Sequence, residues 1–192
     1  MSPTWGIVAT VDEPPQLVAA FAAHHLALGA AEIHLYLDRP DPEVQRLLAG
    51  LDGVRVTVCD EQYWAASPLG RRPPLPMGRQ RQNANHAYAR AGTDWLLHCD
   101  ADEFVRSADK IERRMAKAPA GVAFLQLKML ERVRLADGMA GIFDGIFRRP
   151  GMGFEQWGEE VYGRFAKFLH SGITGHAGCR TGMRLAHRST EP

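Results

Sequence analysis

The chain has 192 residues, of which 45% are hydrophobic and 23% are charged. This is the composition of an ordinary folded domain, so intrinsic disorder is excluded as the main state. Lys and Arg number 23 and Asp and Glu number 22, which gives a formal net charge of +1. So balanced a charge disfavours a dedicated nucleic-acid-binding protein.

The cysteines and the N-terminus bear on the cellular compartment. Cys59, Cys99 and Cys179 are odd in number and far apart, and they form no CxxC pair. This disfavours both a disulfide framework and a cysteine-based zinc site. No basic segment followed by an apolar one opens the chain, so we expect no signal peptide. The sequence predicts a cytoplasmic protein, with the inner face of the membrane as an alternative place of action.

The first 58 residues alternate between strand and helix patterns. Buried apolar runs predict strands, and apolar residues at helical spacing, opened by prolines and closed by glycines, predict helices. The predicted strands cover residues 5–11, 33–37 and 54–58, and the predicted helices cover residues 14–28 and 42–49.

The pattern continues after a long proline-rich segment, residues 59–77, which is predicted to be an irregular loop. Its Tyr63 and Trp64 would either form a lid or pack the loop against the core. The helices predicted next cover residues 78–91 and 107–117, and the strands cover residues 94–99 and 121–127.

Strands separated by helices predict the α/β class, with a mostly parallel, doubly wound sheet. After residue 128 glycines and aromatic residues dominate, which predicts an irregular or antiparallel C-terminal section. We therefore expect one domain over residues 1–192. Its two parts would be an α/β half, residues 1–128, and the irregular or antiparallel section, residues 129–192.

Acidic residues follow three of the predicted strands. Asp12 and Glu13 follow the first, Asp38 the second, and Asp100 and Asp102 the fourth. In open α/β sheets, ligands bind beyond the carboxyl ends of the strands. We therefore expect these acids to lie along one edge of the sheet and to mark the candidate site.

The segment Leu96-Leu-His-Cys-Asp-Ala-Asp-Glu-Phe104 carries the sharpest chemical signal. An Asp-x-Asp at a strand end places two carboxylates on one side, where they repel each other unless a cation lies between them. Oxygen-only ligands favour Mg²⁺ or Mn²⁺, which can also bind substrate phosphates. The alternative is a solvated acidic turn before the next helix.

Three segments of the chain resemble the family-2-like glycosyltransferases of the GT-A fold. The first is Thr10-Val-Asp-Glu13 with the later His25-Leu-Ala-Leu-Gly29, the second begins Arg79-Gln-Arg-Gln-Asn83, and the third runs from Asp94-Trp95 to Phe104. The resemblance covers residues 5–104 well and the remainder only loosely. It implies a GT-A domain that binds a nucleotide-diphosphate sugar.

The resemblance also implies roles for individual residues. Asp12 and Glu13 would lie by the base and ribose, and Asp38 near the base. Asp100 would contact the ribose or the metal, and Asp102 would bind Mn²⁺ or Mg²⁺. The other expected nucleotide-sugar contacts are Thr10, Arg79, Asn83 and Lys167. For Arg79, together with Arg81, a phosphate contact and a solvated helix face are equally compatible with the sequence.

The C-terminal section would complete the metal and acceptor sites. Because relatives often supply a late histidine as a further metal ligand, His187 is the first choice here and His176 the second. Glu159 and Glu160 are the candidate general bases for an acceptor hydroxyl, and Asp144 is the alternative. Lys167 would bind diphosphate or lie at a sheet edge.

The sequence thus predicts a metal-dependent glycosyltransferase with a nucleotide-diphosphate sugar donor and a glycan or glycolipid acceptor. No nucleic-acid partner is expected, and peripheral membrane association is compatible with the composition. One alternative is a non-catalytic nucleotide-sugar-binding or interaction module. A sugar-phosphate nucleotidyltransferase is disfavoured because Thr10-Val-Asp-Glu-Pro-Pro15 lacks the glycine-rich loop such enzymes place after the first strand.

Overall fold

The computed structural model describes residues 2–127, 130–133, 146–148 and 184–187. Helices and strands alternate through the first of these ranges. The elements in chain order are β1 (Trp5–Val11), α1 (Pro15–Ala27), β2 (Glu32–Leu37), α2 (Pro42–Leu48), β3 (Val54–Val58), α3 (Glu61–Ala66), α4 (Pro76–Tyr88), β4 (Trp95–His98), α5 (Ala108–Ala116), β5 (Phe124–Gln126), β6 (Glu131–Val133), β7 (Ile146–Arg148) and β8 (Arg184–His187).

Six of the described strands form one sheet in the order β3-β2-β1-β4-β8-β5. The four strands from β3 to β4 are parallel, which confirms the predicted α/β class. β8 joins β4 in antiparallel register, and β6 and β7 form a separate antiparallel pair. These late strands agree with the antiparallel alternative for the C-terminal section.

The chain divides into two compact units. The first contains residues 1–125 and 184–192, and the second contains residues 126–183. The segment that contains β8 belongs to the first unit, which the sequence patterns did not indicate.

Both faces of the parallel sheet are covered. Val8, Tyr36 and Leu96 are buried in a cluster with Trp64 of α3 and Ala87 of α4. Ile7, Leu35 and Leu97, which alternate with these strand residues and so face the other way, are fully buried as well. This explains why β1, β2 and β4 are almost continuously hydrophobic.

α3 is a correction to the sequence prediction, which treated residues 59–77 as one irregular loop. The carboxylate of Asp60 caps this helix by accepting a hydrogen bond from the backbone N–H of Tyr63 at 2.8 Å. Trp64 is 2% exposed and anchors the helix in the core. Of the two roles considered for Trp64, the structure therefore supports packing.

Among the helices of the described ranges, none is both long enough and apolar enough to cross a bilayer.

Candidate functional site

The topology brings the acidic strand ends to one edge of the sheet. β1, β2 and β4 are parallel neighbours, so Asp12, Asp38 and Asp100 all follow carboxyl ends at this edge. The chain passes from β1 to β2 and β3 on one side, and then places β4 on the other side of β1. The point between β1 and β4 is therefore a topological switch point, where α/β sheets form ligand crevices.

The acidic turn after β4 has an alternating pattern of exposure. Asp100 and Asp102 are exposed, whereas Ala101 between them is fully buried. The backbone N–H of Asp100 donates to Oε2 of Glu103 at 3.0 Å, and the backbone N–H of Glu103 donates to the Asp100 carbonyl at 3.0 Å. This reciprocal bonding fixes the turn in which the two aspartates are exposed.

Gln80 of α4 also contacts the acidic turn. Its side-chain amide donates a hydrogen bond to Oδ1 of Asp100 at 2.9 Å. No hydrogen bond or ion pair reaches Asp102 from the part of the chain that the structure describes. Asp102 is therefore the more available of the two aspartates for a cation, and Gln80 is a site residue that the sequence motif did not indicate.

Glu13 links the end of β1 electrostatically to the turn after β4. Its Oε2 accepts the backbone N–H of Asp12 at 2.7 Å. Burial is the main cause that raises the pKa of Glu13, and the negative charges of Asp102 and Asp100 raise this pKa further. The hydrogen bonds from backbone N–H groups act in the opposite direction and lower it. The repulsion shows that acids from two strand ends share one region of negative potential.

Asp12 forms a two-pronged ion pair with Arg39, the first residue after Asp38. Nε and Nη2 of Arg39 donate to the two carboxylate oxygens of Asp12 at 2.8 and 2.7 Å. The pairing raises the pKa of the Arg39 guanidinium. Both side chains are well exposed, so a ligand could displace Arg39 or retain it as a cationic contact.

Asp38 is buried beneath two arginines rather than open to a ligand. Nε of Arg79 donates to Oδ1 of Asp38 at 2.8 Å, and Nη2 of Arg72 donates to Oδ2 at 2.8 Å. Arg79 also donates through Nη1 to the carbonyls of Pro73 and Pro74, at 3.2 and 2.9 Å. In this arrangement Asp38 and Arg79 organise a loop at the site edge. A base contact through Asp38 stays a prediction.

Thr10 and Asn83, two predicted contacts, are bonded to each other. Asn83 is fully buried, and its amide donates to Oγ1 of Thr10 at 2.9 Å. The carbonyl oxygen of Asn83 accepts the hydroxyl of Tyr63 at 2.8 Å and faces the thiol of Cys59 at 3.9 Å. This network ties α3 and α4 to the end of β1, and a direct ligand contact would require it to open.

Two histidines of α1 hold the far side of the acidic turn. His24 Nε2 lies 2.7 Å from the Val105 carbonyl, and the Val105 backbone N–H donates to His25 Nε2 at 3.1 Å. Nδ1 of His25 lies 2.9 Å from the Phe21 carbonyl, so we assign the neutral imidazole with the proton on Nδ1. Phe104 stacks on the His25 ring at 5.9 Å. The sequence predicted His25 as a core residue, and the structure adds this anchoring role.

His187 lies in β8, in a register that pairs it with Trp95 at the beginning of β4. Asp100 follows the other end of β4, five residues farther along, which corresponds to about 16 Å of extended chain. The structure therefore does not bring His187 together with Asp100 and Asp102. His176, Lys167, Glu159, Glu160 and the alternative base Asp144 lie outside the described residues.

The acidic turn offers carboxylate oxygens to the metal that the family resemblance implies. Within the described ranges, no three His, Cys, Asp or Glu side chains are placed to hold an ion together. Asp100 and Asp102 nevertheless offer exposed carboxylate oxygens, the donors that Mg²⁺ and Mn²⁺ prefer. The residues thus fit a cation that takes its remaining ligands from outside the described part of the chain.

A basic cavity of about 510 Å³ occurs elsewhere on the first unit. Its lining includes four cationic side chains from α5 and the residue that follows it, and it contains none of the predicted site residues. The lining is formed by Lys110, Arg113, Arg114, Lys117, Ala118, Pro119 and Leu125.

Comparison with known proteins gave structural similarity only. No family model matches the sequence, and no curated protein matches it. A mycobacterial protein of known structure is 16% identical, with a TM-score of 0.46, and the match covers 97% of this chain and 54% of that one. This chain therefore spans about half the length of that protein.

Two further structures are similar at the same level. A nucleotidyl transferase from Methanothermobacter is 15% identical over 98% of this chain and 88% of its own, with a TM-score of 0.44. A CMP:2-keto-3-deoxy-manno-octonic acid synthetase complexed with CTP is 14% identical over 96% of this chain and 71% of its own, with a TM-score of 0.41. These TM-scores are too low to carry a functional argument.

Proposed function

We propose that this chain binds a nucleotide-diphosphate sugar at the carboxyl edge of its parallel sheet and transfers the sugar to a glycan or lipid-linked acceptor. The observation that supports this most is the meeting of acids from β1 and β4 at the switch point. There the negative charges of Asp100 and Asp102 both act on Glu13. Such a concentration of acidic side chains favours a site that a divalent cation completes.

In this proposal, the protein's main task is to hold the diphosphate. Asp102, assisted by Asp100, would hold Mn²⁺ or Mg²⁺, and the bound ion would supply positive charge against the charge that develops on the departing nucleoside diphosphate. Gln80 orients Asp100 through its hydrogen bond at 2.9 Å. Asp12 and Glu13, at the end of β1, are the proposed contacts for the base and ribose, and Arg39 is placed to add a cationic contact.

The proton of the acceptor hydroxyl needs a base, for which Glu159 and Glu160 stay the predicted candidates. Separate Glu159→Gln and Glu160→Gln variants test them. Loss of the base is expected to lower kcat by about 100-fold or more while donor affinity changes little. Normal turnover in both variants would exclude these two residues as the base.

The first experiment measures binding of UDP and GDP by calorimetry, with and without Mn²⁺. The wild type is compared with Asp102→Asn and with Asp52→Asn, which alters an exposed acid in the turn before β3. We expect binding that requires Mn²⁺, is lost in Asp102→Asn and is retained in Asp52→Asn. No binding of any nucleotide to the folded protein would refute the proposal.

Turnover assays distinguish the proposed function from two other functions. A non-catalytic module would bind the nucleotide sugar with Mn²⁺ but would release no nucleoside diphosphate to water or acceptor. A nucleotidyltransferase would instead release pyrophosphate from a nucleoside triphosphate and a sugar phosphate. The β1–α1 connection has no glycine and enters α1 at Pro14 and Pro15, which favours the glycosyltransferase over nucleotidyl transfer.

A further inference from the structure

Residues 72–79, the segment before α4 together with the first turn of that helix, form a loop that is closed at its base. Arg72 and Arg79, its first and last residues, both donate to the carboxylate of Asp38, each at 2.8 Å. Nη1 of Arg79 additionally binds the carbonyls of Pro73 and Pro74. A Cβ atom at Gly78 would lie 3.0 Å from Cβ of Pro73, so the two ends of the loop are in close contact.

The tip of this closed loop is strongly apolar and exposed. Leu75 is 65% exposed and Met77 is 71% exposed, whereas Pro73 at the base is buried. Leu69, shortly before the loop, is 51% exposed. Prolines at positions 73, 74 and 76 restrict the backbone. The apolar side chains are therefore held in water by an ordered segment, which predicts a partner.

The charged residues in the sequence around the loop are all basic. Between Gln62 and Thr93 the sequence contains five arginines and no Asp or Glu. Two of these arginines, Arg72 and Arg79, are paired with Asp38. Arg71 and Arg81, on either side of the loop, are exposed. Apolar tips flanked by arginines are complementary to the interface of a bilayer that contains anionic lipids.

We propose that the loop of residues 72–79 is a membrane-docking element that places Leu75 and Met77 among the headgroups of an anionic lipid surface. A protein partner fits less well, because a standard protein interface buries about 800 Å² on each side and this tip offers two or three side chains. The proposal is independent of sugar transfer. If both hold, the loop would bring the donor site, through Asp38, beside a lipid-linked acceptor.

Cosedimentation with vesicles tests the proposal. The probes are vesicles of phosphatidylcholine alone and of phosphatidylcholine with a quarter of phosphatidylglycerol. We expect the full chain to bind the anionic vesicles, and the double variant Leu75→Ser/Met77→Ser to bind about tenfold or more weakly. Leu75 is the N-cap residue of α4, where serine is favoured, so the variant should fold normally.

Two controls separate this loop from other surfaces. Leu51→Ser removes an exposed leucine from the turn after α2 and should leave binding unchanged. Lys110→Gln/Arg113→Gln weakens the basic cavity of α5 and should reduce binding less than the tip variant does.

Three results would overturn the proposal. The first is failure of the wild type to bind anionic vesicles, and the second is binding that is lost only in the α5 variant. The third is a dimer that the tip variant abolishes without any vesicle binding, which would assign the tip to a second copy of the chain. Nucleotide binding by the Leu75→Ser/Met77→Ser variant is measured in a separate titration. This variant leaves the proposed donor-site residues unchanged, so the titration tests the donor site independently of membrane docking.

Discussion

His25 Nε2 accepts a hydrogen bond from the backbone N–H of Val105 at 3.1 Å. This bond joins α1 to the segment that follows the acidic turn, and it requires an unprotonated nitrogen. Burial is the main cause that lowers the pKa of His25 to about 4, with the neighbouring His24 acting in the same direction and the Phe21 carbonyl opposing it. The position of the acidic turn is therefore coupled to a neutral imidazole.

Stability should consequently depend on His25 in mildly acidic solution. The unfolded chain binds a proton at His25 below pH of about 6.5, whereas the folded chain does so only near pH 4. The free energy of unfolding should thus fall as pH decreases between these values, by up to about 1.4 kcal/mol per pH unit from this residue. Above pH of about 6.5 this contribution is constant.

Urea denaturation of the wild type and His25→Gln at pH 5 and pH 7 measures this effect. The variant should be less stable than the wild type at pH 7, and the gap should narrow at pH 5. A gap of the same size at both values would show that His25 does not titrate in the way its burial implies.

Arg79 should stabilise the protein more than Arg72 does. The Arg79 side chain is 11% exposed and bridges Asp38 to two carbonyls, whereas Arg72 is 43% exposed. We expect Arg79→Gln to cost about 1–3 kcal/mol of unfolding free energy and to speed tryptic cleavage after Arg71. Arg72→Gln should cost less than about 1 kcal/mol.

Arg81→Gln is the matched control for Arg79→Gln, because Arg81 is an exposed arginine on the same helix. Its stability and cleavage rate should equal those of the wild type. Equal losses in all three variants would point to a general effect of charge rather than to the contacts of Asp38.

Substitutions in the hydrogen-bond network of Asn83 should lower the stability of the protein by different amounts. Asn83→Ala leaves Thr10 and the Tyr63 hydroxyl without their partner in the core, and should cost about 2–3 kcal/mol. Tyr63→Phe removes one bond and should cost about 1 kcal/mol. Asn85→Ala, which changes an exposed asparagine on the same helix, should be neutral in chemical denaturation. A neutral Asn83→Ala variant would contradict the network.

Two thiols should be unreactive in the folded protein. Burial chiefly, with the charge of Asp38, raises the pKa of Cys59 to about 12, and burial raises that of Cys99 well above its usual value. In a Cys179→Ser variant at pH 8, a thiol reagent should label neither cysteine until denaturant is added, and then both. Rapid labelling without denaturant would show that the core opens readily.

The sequence predicts the parallel half of the fold well because β1, β2 and β4 are almost entirely buried and the half-buried edge strand β3 alternates valines with polar residues. β1 and β3 occur at the predicted bounds, Trp5–Val11 and Val54–Val58. α3 was missed because a single capping residue, Asp60, and a single anchor, Trp64, define so short a helix. The prolines in residues 59–77 led to the prediction of one irregular loop for that whole segment.

The sequence predicted which strand ends carry the acids of the candidate site, but it did not predict which side chains pair with those acids. Hydrophobic strands followed by acids indicate which edge carries the charges, since parallel strands share a direction. Local patterns do not show that Arg39 pairs with Asp12, or that Gln80 contacts Asp100, because these pairs depend on how separate elements pack. The β8 register, which sets the place of His187, is likewise a property of the assembled sheet.

The antiparallel pairing of β8 with β4 has a consequence for biosynthesis. Residues 184–187 complete the hydrogen bonding of a strand that ends at His98, so β4 emerges from the ribosome long before its neighbour. Until then its edge presents unpaired backbone groups, which favour association with other chains. Yield in cells should therefore depend on how quickly this late strand reaches the sheet.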